Sequence, residues 1–142
     1  VIDSWIEAYA IALTEELYLT EGIERHRVTR VVRGDGARHR GTGTGTVAHA
    51  ISYGKYCLAR TADRGLNHYA CERGVWAGHR EARGAEAIWM LVIHEFAHVL
   101  QVDRGERGYH SVHNQDFLDI EEELMALYPF EEYDPEAFGI MS

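Results

Sequence analysis

The sequence predicts an α+β fold: a small, mainly antiparallel twisted sheet packed against three main helices, with the second helix central. Three observations predict it. Residues 3–21, 84–103 and 114–128 carry apolar side chains at helical spacing. Runs rich in β-branched and aromatic residues, bounded by glycines, lie between the first two and read as strands. The length, 142 residues, suits a single domain over 1–142 with a sizeable core, and no repeat or linker divides it.

The first helix, 3–21, opens on Ser4-Trp5-Ile6-Glu7, a capping-box pattern in which the serine caps and the glutamate three positions on reaches back. Ile6, Tyr9, Leu13 and Leu17 mark its buried face, and Gly22 is placed to stop it. Residues 27–33 read as a strand that Gly34-Asp35-Gly36 ends. Glycines alternate with threonines over 41–46. With no lysine-containing phosphate-loop pattern there, a flexible loop or thin strand is the better reading than a nucleotide site. Residues 47–60 and 67–77 read as two strands joined by a turn over 61–66. That pairing would set Cys57 opposite Cys71 and His49 opposite His79.

Residues 84–103 are apolar around most of the circumference, so this helix is buried by its neighbours. A polar loop over 104–112 follows. The last helix, 114–128, has Phe117, Ile120, Leu124 and Leu127 as its stripe, with Asp119, Glu121, Glu122 and Glu123 facing water, and Pro129 ends it. The acidic, aromatic tail from 130 onward is expected to pack loosely over the core.

Composition is that of an ordinary globular protein, 46% hydrophobic and 26% charged. No apolar run reaches the ~20 residues of a membrane span. A cytoplasmic location is expected, with secretion as the alternative. A net charge of −9 argues against tight sequence-independent DNA binding, despite the arginines clustered over 25–40, which read as a solvated strand face.

The chemistry concentrates in His94-Glu95-Phe96-Ala97-His98. On a helix, His94 and His98 lie one turn apart on one face and can offer two imidazoles to one metal ion, while Glu95 sits beside them as a base. Buried polar groups cost free energy unless they are satisfied, and metal ligation satisfies them. A zinc hydrolase needs a third ligand. The short-spaced position fails, because Gln101 and Arg104 stand where a glycine and a histidine would be needed. His110, His113 and a downstream glutamate from Glu121 to Glu123 are left, the glutamates being better explained as the solvated face of their helix.

The motif, then fourteen residues, then His113-Asn114-Gln115-Asp116-Phe117, resembles the SprT-like zinc metalloproteases. Those proteins carry the same first motif followed, after a similar interval, by a histidine and an aromatic one helical turn on. Asn114 stands in place of their usual glycine. The resemblance implies a zincin-like fold, one Zn2+ ion held by His94, His98 and His113, and peptide-bond hydrolysis by metal-activated water with Glu95 as general base. It also implies a protein or peptide substrate, for which Tyr109 and His110 are candidate oxyanion or substrate contacts and an edge strand such as 67–77 a candidate docking site. DNA association is implied as well, although the net charge does not support it. Other divalent metals compete for such sites. Two further classes are a catalytically silent zinc-bound regulatory or binding module, which would not need Glu95, and a zinc hydrolase of a non-peptide amide.

Overall fold

Helices dominate because three stretches hold a helical apolar period for thirteen residues or more. The computed structural model describes residues 4–24, 29–32, 45–47, 50–65, 82–105 and 115–141. In order they form α1 (Ser4–Glu21), β1 (Thr29–Val32), β2 (Gly45–Val47), β3 (Ala50–Gly54), α2 (Lys55–Arg64), α3 (Gly84–Asp103) and α4 (Gln115–Leu127). Two short 3-10 turns follow, Phe130–Glu132 and Pro135–Phe138.

The expected α+β fold with a mainly antiparallel sheet is not what forms. Among the described residues the chain is mostly helical. The strands are segments of four, three and five residues in the order β1-β3-β2, and the sheet is mixed, with β1 parallel and β2 antiparallel to β3. The error lies in 47–60. Ile51 and Tyr53 are buried two residues apart, as in a strand, but beyond Gly54 the buried positions are Leu58 and Thr61, three apart. The period changes from strand to helix at that glycine. Lys55, Leu58, Ala59, Arg60 and Ala62 all favour helix, and where a turn was expected over 61–66, residues 61–64 are the end of α2. Cys57 therefore lies on a helix and not on the strand from which its register with Cys71 was drawn. Cys71, His49, His79 and the strand expected over 67–77 lie outside the described residues.

α1 runs as the sequence implies. Ile6, Tyr9, Ala10, Leu13, Leu17 and Tyr18 are buried on one face. Gly22 has φ of 72°, and the bonds from Gly22 N–H to the Leu19 carbonyl and from Ile23 N–H to the Tyr18 carbonyl close the end in a Schellman motif. Thr14 is polar on that buried face, but its hydroxyl donates to the Ala10 carbonyl and lies 2.6 Å from the Tyr53 hydroxyl.

α3 is the axis of the fold. Every residue from Ala87 to Gln101 is buried, and the helix packs against α1, α2, α4, β2 and β3. Its apolar circumference is thereby accounted for, since a helix with no solvent face needs neighbours all round. Although α3 is long, no helix among the described residues is long and apolar enough to cross a membrane.

The tail does not pack loosely. Tyr9 donates to the Tyr133 carbonyl at 2.6 Å, and the Tyr9 and Phe138 rings meet. Trp89 donates its indole N–H to the Tyr128 carbonyl at 2.8 Å, and its ring meets Phe130 edge-on. Tyr128 in turn donates to the Glu21 carboxylate. Interleaved aromatics thus tie the tail to both α1 and α3.

Candidate metal centre and catalytic base

His94 and His98 stand one turn apart on α3, with ring centroids 5.2 Å apart. Both are about 5% exposed, so each ring needs polar partners that water does not supply. Among the described residues each ring has a partner at Nδ1. The His94 Nδ1 lies 3.0 Å from Glu121 Oε2, and the His98 Nδ1 lies 2.8 Å from Gln101 Oε1. An ionised carboxylate and an amide oxygen both accept, so the tautomer that satisfies both bonds carries its proton on Nδ1. In the neutral ring the lone pair is then on Nε2, the nitrogen that can bind a metal.

Phe117 fixes the rings from the α4 side. It is fully buried, stacks on His98 with centroids 4.4 Å apart and a 27° interplanar angle, and meets His94 edge-on at 4.9 Å. The aromatic singled out one turn beyond His113 therefore touches both candidate ligands on α3.

Glu95 lies beside the two histidines on α3, and its side chain turns toward β2. It is 8% exposed, and its Oε1 accepts from the Thr46 hydroxyl of β2 at 2.6 Å. The same hydroxyl lies 3.1 Å from the Glu95 backbone carbonyl. Oε2 has no hydrogen-bond partner among the described residues. Behind the carboxylate, burial raises the Tyr53 phenol well above its ordinary value, the Thr14 bond pulls it down in part, and the Glu95 charge raises it further. Tyr53 is accordingly a neutral wall at neutral pH.

His94, Glu95 and His98 are thus brought together by one helix. Tyr109, His110 and His113 lie outside the described residues. Among the described residues no group of three or more His, Cys, Asp or Glu side chains is arranged to hold a metal ion. The donor set that is described fits zinc in kind: two imidazoles whose remaining nitrogens are held by oxygen acceptors.

Three residues hold places in the site that differ from the sequence reading, Glu121 having been weighed as a ligand but assigned to the solvated face. Glu121 is 3% exposed and not on the solvated face. It occupies a stripe position, with Phe117, Ile120 and Leu124 also buried, at the i, i+3, i+4, i+7 spacing of one helical face. That spacing was the signal, hidden by the acidic run Glu121-Glu122-Glu123, of which only Glu121 is buried. Gln101 follows His98 by three positions, so helical geometry puts it on the same face. Thr46 gave no comparable signal.

Comparison with protein-family models, with curated proteins and with solved structures returned no match.

Proposed function

We propose that the chain is a zinc-dependent endopeptidase of the SprT-like kind, acting on a protein or peptide substrate. The observation that carries this reading is the pair His94 and His98 on a buried helix, with both Nδ1 atoms tied to acceptors and Glu95 alongside. A buried histidine pair flanked by a glutamate has little packing value, and metal binding followed by proton transfer gives all three a role.

His94 and His98 would hold the ion through Nε2, with His113 as the expected third ligand. Zinc, when bound, activates water and polarises a carbonyl oxygen. Glu95 takes the proton from the attacking water and hands it to the departing amide nitrogen. Thr46 holds one carboxylate oxygen of Glu95, leaving the other for that proton. The burial of Glu95, 8% exposed, keeps bulk water from the base.

The test compares wild type with Glu95→Gln for bound zinc and for cleavage of an unstructured protein. The expected result is stoichiometric zinc in both and a loss of cleavage by about 10²–10⁴-fold in the variant. Cleavage that survives the substitution overturns the role of Glu95. Zinc in both with cleavage in neither points to a silent zinc-bound module.

A further inference from the structure

The two histidines have unlike partners. Glu121 brings a formal charge to the Nδ1 of His94, whereas Gln101 brings a neutral amide to the Nδ1 of His98. Both partners are buried, at 3% and 1% exposure. A carboxylate at a buried stripe position of α4 is costly unless something pairs with it, and a leucine there would pack at no such cost. Among the described residues the ring of His94, from the facing helix, pairs with it. Phe117, one turn earlier on the same stripe, presses on that ring as well. A carboxylate accepting from Nδ1–H fixes the ring's orientation and tautomer and makes the opposite nitrogen a stronger donor than an amide would.

We infer that Glu121 is a positioning residue that makes His94 the stronger of the two zinc donors, with Gln101 playing the weaker counterpart at His98. The inference rests on the zinc reading above. α4 thereby contributes to the site through a charge as well as through Phe117, and the metal affinity depends on how α4 docks on α3.

Zinc affinity, measured by competition with a chromophoric chelator, tests this without recourse to activity. Wild type, His94→Ala, Glu121→Gln and Gln101→Met are compared, with circular dichroism and the melting temperature of the metal-free forms followed in parallel. Glu121→Gln keeps the shape and an acceptor but removes the charge. It is expected to weaken zinc binding about 10–100-fold, with Gln101→Met losing less. A lower melting temperature with unchanged zinc affinity would make Glu121 merely structural and overturn the inference, as would a greater loss in Gln101→Met. Wild type that binds no zinc, or binds it undiminished in His94→Ala, overturns the zinc reading and this inference with it. Should Glu121→Gln not fold, nitrogen NMR of the zinc-loaded wild type decides. A His94 proton on Nδ1 supports the arrangement, and one on Nε2 overturns it.

Discussion

The two faces of α3 hold their polar residues by different means. Toward α4, the side chains of His94 and His98 are braced by other side chains on helices: Glu121 and Phe117 from α4, and Gln101 from α3 itself. Toward the sheet, Glu95 is held by one hydroxyl from a three-residue strand. The first face is rigid and many-membered, as metal ligation requires of its donors. Among the described residues the second rests on the Thr46 hydroxyl, which suits a group that has to exchange a proton. On this division, substitutions on the α4 face are expected to change metal affinity and stability together, and those on the sheet face to change the rate while leaving the metal in place.

The largest expected effect comes from the α4 face. Phe117→Ala removes a fully buried ring that touches both histidines, and large-to-small changes of this kind cost about 3–5 kcal/mol. Chemical denaturation is expected to show that loss, and chelator competition a weakened zinc site. Phe117→Leu restores much of the volume but not the stacked plane, so stability should recover further than affinity does. Zinc binding in Phe117→Ala equal to wild type would remove the ring from the site and leave it a core residue only.

How much of this was legible in the sequence follows the same division. His94, Glu95 and His98 were legible because their geometry is local: five consecutive residues on one helix fix it. α1, α3 and α4 were legible because each keeps one period for thirteen residues or more, and Gly22 marked an end that its positive φ requires. α2 was misread because ten residues carry little periodic signal and Tyr53, Tyr56 and Leu58 imitate a strand's composition. Glu121 was misassigned because an acidic run looks solvated until the stripe is traced through it. Thr46 was out of reach, since its bond to Glu95 spans 49 residues and depends on how β2 meets α3.

A smaller effect belongs to the sheet face. A hydrogen bond to a charged group contributes about 1.5–3 kcal/mol, so Thr46→Val is expected to lower kcat/KM by roughly tenfold or more. Zinc affinity should match wild type, and Thr46→Ser, which keeps the hydroxyl, should retain most of the rate. A Thr46→Val protein that cleaves as wild type would show that the short bond does not position the base. A Thr46→Val protein that loses zinc would break the separation between the faces.

The smallest effect separates the faces by pH. Burial pushes Tyr18 up to about 12, and burial, with the Glu95 charge adding to it, raises Tyr53 despite the Thr14 bond. Both belong to the layer between α1 and the sheet side of α3: Tyr18 packs edge-on against Phe96, and Tyr53 bonds to Thr14. In the unfolded chain a tyrosine titrates near ~10. A folded value raised above the unfolded one gives stability that is complete below ~10 and is lost as the pH climbs towards the folded value. These phenols should therefore leave stability untouched up to about pH 9 and lower it from about pH 10 upward. Tyr53→Phe removes one of these groups and should flatten that decline. At neutral pH it costs about 1 kcal/mol for the lost Thr14 bond and leaves zinc affinity unchanged. The readouts are tyrosinate absorbance on the folded chain, expected to lag behind that of the denatured chain, and denaturation midpoints between pH 8 and 11 for both proteins. Tyr53→Phe with an alkaline decline as steep as wild type would show that the sheet-side layer does not govern alkaline stability, and a shift in its zinc affinity would show that the two faces of α3 are coupled.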